Sequence, residues 1–510
     1  MISAQDRQIF YQAMLSRDHR FDGCFFAAVT TTGVYCRPIC PAPKPKIKNV
    51  VFYSSSAGAE SDGFRPCKRC RPDASPGTPI WSGTSATVSR ALQLINSGYL
   101  DEHGVQHLGE MLGVSDRQLR RLFESHLGAS PHAVALTRRL DFARKLIDET
   151  HLSMTDIAFT SGFESIRRFN DAVKKRFGES PTDLRQAVKN TKTGNGNKNL
   201  MVLHLPFRPP LDWPALLNYL KARQINGVEM IDKNRYCRSI RIKEKTRDGK
   251  ITEQHGVFMV TMPDRASHLE LTLQISGTDN LMNIVHRVRR IFDLEADPLF
   301  IFNHLKKDPG LSPIISSFPG FRIPGGWDNF EIAMRTIIGQ QISIRAANTI
   351  TGRLVQRYGT PVQDSFIPGI THLFPTPGIL ANADLAGIGL PTKRAMTTRA
   401  LAAKIANKEI VLEGIVNTES IKTQLMKIPG IGQWTTEYIA MRALREPDAF
   451  PAADLALKRE LKEMSQQAEG LDRDINRPDI WRPWRAYAAV ALWKNYSHKD
   501  TQRNTKKASS

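Results

Sequence analysis

The sequence predicts a multidomain, mainly α chain with two small sheets. Three observations carry this prediction. Two close cysteine pairs near the N-terminus lie among turns and short apolar runs. A helix-turn-helix pattern occurs twice between residues 105 and 180. A proline-glycine turn, Ile428-Pro429-Gly430-Ile431-Gly432, joins two helical patterns near the C-terminus. A length of 510 residues fits about three or four domains. A formal net charge of +21 favours an anionic polymer as partner. No apolar run is long enough to span a membrane, and residues 1–20 carry no secretory signal. The expected location is the cytoplasm.

The first unit is predicted over residues 1–76 as a small α+β zinc domain. It holds a C-x3-C pair, Cys36 and Cys40, and a C-x2-C pair, Cys67 and Cys70. Four thiolates at this spacing suit a tetrahedral Zn2+, and a cytosolic setting argues for metal over disulfides. Arg37, Lys44, Lys46, Lys48, Arg65, Lys68, Arg69 and Arg71 surround them. Such cations suit phosphate contact and favour ionised sulfur. A zinc staple that merely folds a small domain fits the same residues. Cys24 and Cys237 match no ligand position and read as small, partly buried residues. The run from Thr31 through Cys36 and Cys40 to Ala42, and the run from Gly63 to Cys70, resemble the N-terminal domain of the Ada family. The resemblance implies that Cys36 is both a zinc ligand and the acceptor of a methyl group from a DNA methylphosphotriester. Cys40, Cys67 and Cys70 would be the other ligands.

Residues 81–189 are predicted to hold two helix-turn-helix units. A helical pattern over 105–112 breaks at Gly113-Val114-Ser115, and Ser115 can cap a helix over 116–126 that bears Arg117, Gln118, Arg120 and Arg121. After a long helix over 131–149 the arrangement repeats. Residues 153–160 lead through Ser161-Gly162-Phe163 to a helix bearing Glu164, Ser165, Arg167, Arg168 and Asn170. Each second helix can enter a major groove; a helical bundle with solvated arginines fits the same pattern. Gly162-Phe163 and Phe177-Gly178-Glu179-Ser180-Pro181 resemble the signature of AraC-type regulators. The resemblance implies promoter DNA as a partner, and RNA polymerase on activation. Arg117, Gln118, Arg121, Arg167, Arg168 and Asn170 are the expected DNA contacts. Residues 190–199, polar and without periodicity, read as a flexible linker.

Residues 200–293 contain strand-length runs at 238–242, 257–262 and 269–275. They predict a small antiparallel α+β domain. Residues 294–497 read as all-α, and the polar, basic tail 498–510 as disordered. Within the helical region, Pro429 fixes φ, while Gly430 and Gly432 permit positive φ and close approach. The turn points backbone N–H groups outward beside a helix start, which makes a phosphate seat. Asp454 follows the apolar run Phe450-Pro451-Ala452-Ala453. A carboxylate beside a phosphate seat suggests work on nucleic acid. An ordinary tight turn and an N-cap aspartate fit the same residues.

The run Pro429-Gly430-Ile431-Gly432-Gln433-Trp434-Thr435, then Tyr438, then Asp454-Leu455-Ala456-Leu457-Lys458, resembles the helix-hairpin-helix and catalytic loop of AlkA-type alkylbase DNA glycosylases. Asp212-Trp213, Phe292-Asp293-Leu294, Gly339-Gln340-Gln341-Ile342-Ser343 and the run from Trp481 through Trp484 to Tyr487 extend the resemblance from residue 200 to about 497. It implies excision of flipped bases of the 3-methyladenine and 7-methylguanine type from double-stranded DNA. Asp454 would stabilise the oxocarbenium-like sugar and direct water. Trp434, Tyr438, Trp484 and Tyr219 would form the base pocket. Gln341 would wedge into the duplex, where the family has an apolar residue. Trp434 stands where strand-cutting relatives place a lysine, so the enzyme is expected to be monofunctional. No cysteine follows Cys237, which excludes an Fe–S cluster there, and no organic cofactor is expected. The reading is an alkylation-repair enzyme fused to its own damage-responsive regulator. The alternative is a transcription factor whose C-terminal half only binds DNA.

Overall fold

The computed structural model describes residues 2–76, 86–189, 200–245, 251–278, 280–413, 418–467 and 477–508. The linker expected at 190–199 lies outside them. The chain forms two compact units. The first comprises Met1–Pro209, Arg241–Arg289 and Leu294–Asp297; the second comprises Pro210–Ile240, Arg290–Asp293 and Pro298–Ser510. Residues 200–293 therefore contribute to both. Among the described residues, no helix is long and apolar enough to cross a membrane.

The first unit opens with helix α1 (Ala4–Ser16), which Ser3 and Asp6 start as a reciprocal capping box. Strands β1 (Phe26–Val29), β2 (Val34–Cys36), β3 (Val50–Tyr53) and β4 (Arg65–Pro66) form a sheet ordered β3-β1-β2-β4. β2 ends on Cys36, so the first cysteine pair begins where the strand stops. Helices α2 (Asp116–Leu127), α3 (Pro131–Glu149) and α4 (Ile166–Phe177) follow. Ser115 and Ser165 cap α2 and α4 through their hydroxyls, and Gly128 and Gly178 close them in the left-handed region. Leu119, Phe123 and Leu127 recur every fourth residue and are buried, which leaves the arginines of α2 on the opposite face. Near the end of α4, the buried Arg176 guanidinium meets Glu60 at 2.8 Å and Asp141 at 2.7 Å. Glu60 also accepts from the Tyr35 hydroxyl at 2.5 Å and the Thr137 hydroxyl at 3.0 Å. Burial pushes the Asp141 carboxyl up to about 8 despite its arginine.

The second unit begins with helix α5 (Trp213–Lys221), capped by Asp212, whose carboxylate accepts from the Ala215 N–H at 3.1 Å. Strands β5 (Met201–Pro206), β8 (Ile251–Thr261) and β9 (His268–Ile275) belong to the first unit, in the order β5-β9-β8, and β6 (Glu229–Asp232) and the start of β7 (Arg235–Lys245) to the second. The start of β7 pairs with β6 in the second unit, and its end lies in the first. Helices α6 (Asn329–Ile338), α7 (Ile344–Tyr358), α8 (Thr418–Met426), α9 (Gln433–Arg442), α10 (Leu455–Gln467) and α11 (Arg485–Ala508) build the rest. Met334, Ile337, Leu354, Leu401, Leu425 and Ile439 lie in one buried apolar core. The tail expected to be disordered is helical as far as Ala508. Lys499 pairs with Glu460 at 3.0 Å and with Glu463 at 2.7 Å, and these contacts with α10 hold polar sequence in helical register.

A fully buried ion pair joins β7 to α6: Arg238 meets Glu331 at 2.8 Å, both side chains being 1% exposed. Glu229 shares Arg238 at 3.4 Å and accepts from the Tyr236 hydroxyl at 2.6 Å. Removing one partner strands a buried charge, which costs about 3–5 kcal/mol. Glu331→Ala should therefore lower the unfolding free energy of the second unit by that amount, read by urea denaturation. Loss of less than about 1 kcal/mol would show that water reaches Arg238.

Candidate functional site

The turn between α8 and α9 is pinned from inside by the buried side chains of Leu425, Ile428 and Ile431. Gly430 has φ +90, and a Cβ there would lie 2.3 Å from the Thr397 hydroxyl oxygen. The Thr397 hydroxyl donates to the Pro429 carbonyl at 2.8 Å. The Gln340 amide donates to the Gly430 carbonyl at 3.0 Å and to the Thr435 hydroxyl at 2.9 Å. The turn's carbonyls are thus occupied by side chains, and Gly432 is exposed at the N-cap of α9. The first N–H groups of α9 have no partner within the helix and form a positive helix end. Gln341, the predicted wedge, is exposed and held at φ 55, while its neighbour Gln340 turns inward. A non-glycine residue in the left-handed region costs on the order of 1 kcal/mol or more, the kind of strain found at ligand clamps.

Asp454 joins three helices. Its Oδ1 accepts from the Ala456 N–H at 3.0 Å and the Leu457 N–H at 3.2 Å, which caps α10. The same oxygen accepts from Trp493 Nε1 of α11 at 3.0 Å, and Oδ2 accepts from Trp434 Nε1 of α9 at 2.9 Å. Trp434 stacks on Tyr438 with centroids 5.2 Å apart and planes at 20°, and Trp493 tilts against Tyr438 at 6.0 Å. The Tyr438 hydroxyl lies 3.1 Å from the Tyr219 hydroxyl of α5. Arg442 donates to both phenol oxygens, at 2.9 Å to Tyr438.

The structure therefore brings Asp454, Trp434, Tyr438 and Tyr219 together. Trp484 lies elsewhere: it is 1% exposed and packs edge-on against Phe300 and Tyr487. Sequence reasoning missed Trp493. The available signal was the alanine-rich face that precedes it, Ala486, Ala488, Ala489 and Ala491, all buried, which lets a helix approach its neighbours closely.

In the first unit, the four sulfurs of Cys36, Cys40, Cys67 and Cys70 lie within 4.8 Å of one another. Zn–S bonds of about 2.3 Å give a tetrahedral S–S edge of roughly 3.8 Å, so the four fit the ion. Bonds from Cys36 and Cys70 hold the Cys40 thiol down to about 2, while the bond to Cys40 pushes Cys36 far up. Ionising all four needs a cation among them. Many nearby cations are already engaged. Arg37 binds Asp22 at 2.7 Å and the Cys70 carbonyl at 3.3 Å. Lys44 donates to the Met14 carbonyl. Arg71 meets Asp73 and Asp148, and Lys68 meets Glu179. Lys46, Lys48, Arg65 and Arg69 are exposed. Cys24 donates to Asp297 at 3.1 Å, away from the cluster, and Cys237 is buried. Arg117, Gln118 and Arg121 on α2, and Arg167, Arg168 and Asn170 on α4, are all exposed.

Comparisons with known proteins agree with this layout. The family "Metal binding domain of Ada" matches residues 9–73, and a helix-turn-helix domain matches 108–187. The AlkA N-terminal domain matches 202–328, and the "HhH-GPD superfamily base excision DNA repair protein" family matches 334–485. The fold and site are those of an HhH-GPD DNA glycosylase of AlkA type joined to an Ada-type zinc-binding and helix-turn-helix segment. A "Probable bifunctional transcriptional activator/DNA repair enzyme AlkA" of Mycobacterium tuberculosis is 40% identical over 489 residues, covering 96% of each chain. The chain belongs to that family. "DNA-3-methyladenine glycosylase 2" of Escherichia coli is 31% identical over 294 residues, 57% of this chain and 95% of that protein. "Bifunctional transcriptional activator/DNA repair enzyme Ada" of Escherichia coli is 29% identical over 180 residues, 35% of this chain and 49% of that protein.

Gly430 offers a test of the phosphate seat. Gly430→Ala must strain both φ and the Thr397 contact, at about 1–2 kcal/mol. Affinity for duplex DNA containing an abasic site should fall roughly tenfold by fluorescence anisotropy. Unchanged affinity would remove this turn from the interface.

Proposed function

We propose that the second unit hydrolyses the N-glycosidic bond of alkylated bases flipped out of duplex DNA, with Asp454 as the catalytic carboxylate. The observation that supports this most is the pair of indole N–H groups holding Asp454 beside a stacked aromatic wall. Flipping costs a few kcal/mol, and stacking on the rings returns about 1–3 kcal/mol per base. An N-alkylated purine is cationic, and electron-rich ring faces favour it by on the order of 2 kcal/mol when desolvated. Such a base also leaves readily without protonation. Oδ1 of Asp454 accepts three N–H bonds and Oδ2 one, so Oδ2 keeps a lone pair for the sugar cation or the attacking water. A carboxylate about 4 Å from that cation gains roughly 4 kcal/mol at an effective dielectric of 20, about a thousandfold in rate. Trp434 supplies no amine, so the reaction stops at the abasic site. Gln341 fills the gap that the base leaves.

The first unit, in this reading, takes a methyl group from a DNA methylphosphotriester. The Cys36 sulfur attacks the methyl carbon, the methyl–oxygen bond breaks, and a phosphodiester anion departs. Four thiolates around Zn2+ carry a formal −2; with one converted to a thioether the site carries −1. Lys46, Lys48, Arg65 and Arg69 then meet phosphate with less opposition. Residues 1–76 act as the acceptor domain and 81–189 as the promoter reader, which would contact RNA polymerase when activating. Residues 200–293 and 294–497 together carry out the excision.

Asp454→Asn keeps an N-cap oxygen but sets an amide N–H against the Trp434 indole N–H, so stability should fall by about 1–3 kcal/mol with the fold retained. Excision of 3-methyladenine should fall about a thousandfold, read by chromatography of bases released from methylated DNA. Near-wild-type excision would sink the assignment of Asp454. If the wild type itself released no alkylbase, the second unit would be a DNA-binding module.

Cys36→Ser tests the other half. Methyl uptake from methylphosphotriester DNA, read by mass analysis of the protein, should disappear while base excision continues. The methylated wild type should bind promoter DNA more tightly than the unmethylated protein, with a gap that shrinks as salt rises. Equal affinities with Cys36 shown to be methylated would reduce the zinc domain to a repair module or a staple.

A further inference from the structure

The wall of the pocket behind Tyr438 carries two cations and no acid. Arg442 is buried and anchored by the carbonyls of Pro324 and Gly325. Its guanidinium lies 4.9 Å from the Tyr219 ring centroid and 5.6 Å from that of Tyr438, and it donates to both hydroxyls. Arg223 lies over the Tyr219 ring at 3.8 Å. Among the described residues, neither arginine has a carboxylate partner. An arginine stays protonated inside a protein. A buried cation without an acid leaves the nearest ionisable oxygens, the two phenols, as its possible counter-charge.

The surroundings of this pair are accounted for on every side. α9 contributes Arg442 and Glu437, whose charge is met by Lys422 at 2.5 Å. α5 contributes Tyr219 and Arg223. α6 contributes Arg335, whose charge is met by Glu229 at 3.6 Å and Glu331 at 3.9 Å. Beyond Trp434 lies Asp454, which is occupied by indole and backbone N–H groups. The net balance next to the phenols is positive.

We propose that Tyr438 and Tyr219, beside Arg442, release one of their two hydroxyl protons and share the other, and together act as a specificity-determining pair for the charge of the flipped base. The inference rests on the glycosylase reading above. With both phenols protonated, the wall is positive and opposes a cationic base. When one proton leaves to solvent, a phenolate neutralises a guanidinium, and the Tyr438 ring stacked on Trp434 becomes richer in electrons. Cationic alkylpurines then gain relative to neutral lesions. The same geometry sets where this happens. Burial opposes ionisation of Tyr438, yet Arg442, Arg223 and the bond with Tyr219 hold its phenol down to about 8, while burial pushes Tyr219 up. The wall is therefore positive below about pH 8 and loses one charge above it.

Two measurements on the full chain test this. The first is ultraviolet titration of tyrosinate. One of the ten tyrosines should ionise near pH 8 in the wild type. That step should vanish in Tyr438→Phe and move up towards the ordinary phenol value of about 10 in Tyr219→Phe. The second is kcat/KM for cationic 3-methyladenine divided by that for neutral ethenoadenine. The ratio should rise roughly tenfold or more between about pH 6.5 and about pH 9.5, given one unit charge within a few ångströms of the base. It should stay flat in Tyr438→Phe. No tyrosine ionising below about pH 9 would overturn the shared proton. A flat ratio across a titration that does occur would overturn the selectivity. Absence of all base release, with the titration intact, would overturn the glycosylase reading and the selectivity with it, leaving the phenol pair as a structural feature alone.

Discussion

One carboxylate, Asp454, ties together helices that begin 21 residues before it, at Gln433, and 31 residues after it, at Arg485. It caps α10, and it is the acceptor for one indole from α9 and one from α11. Each bond constrains a different thing. The backbone bonds set where the carboxylate sits relative to its own helix. The indole bonds set the ring planes that face Tyr438. A buried indole N–H left without an acceptor costs roughly 1–3 kcal/mol, so ring orientation and carboxylate position are mutually enforced. An N-cap role and the catalytic role proposed for this residue are therefore not competing descriptions. The cap is what aims it.

Behind the rings, a second set of interactions holds the pocket wall. Glu331 and Glu229 share Arg238 and also face Arg335. Arg335 in turn donates to the Arg223 carbonyl, and Arg223 lies over Tyr219. Buried ion pairs contribute little net stability because desolvation offsets their attraction. Their contribution here is geometric: α5, β7 and α6 are brought to one arrangement, and the aromatic wall inherits it.

Much of this was legible in the sequence, and the exceptions have physical causes. The cysteine spacing predicts a four-sulfur cluster because a tetrahedral ion admits few loop geometries. Ser115 and Ser165 predict helix starts because a hydroxyl there satisfies a free N–H. Gly430 predicts the hairpin because only glycine enters φ +90 without strain. By contrast, Trp484 and Trp493 are nine residues apart on one terminal segment, and composition says nothing about which of them meets Asp454. Trp484 precedes α11 and is absorbed into an aromatic core with Phe300 and Tyr487. Gln340 and Gln341 are identical in chemistry, yet one stitches the hairpin and the other is exposed. The helix that enters the polar tail depends on Lys499 reaching two glutamates of α10, contacts that leave no local periodicity.

The excess of positive charge also needs to be read through the structure. A formal +21 suggests a chain that coats DNA indiscriminately, but many of the cations nearest each site are already paired. Arg37, Arg71 and Lys68 face carboxylates in the first unit, and Arg238, Arg335 and Arg445 do so in the second. Exposed cations remain on the helices that bear Arg117 and Arg167, around the zinc cluster and over the second unit, among them Arg345, Lys393, Arg399 and Lys427. Long-range attraction can bring both units to a duplex, and salt weakens it equally for any sequence. In the function proposed here, discrimination comes from groups whose placement is fixed by burial: the side chains opposite Leu119 and Phe123 on one helix, and the rings held around Asp454. Charge supplies encounter, and packing decides what is recognised once contact is made.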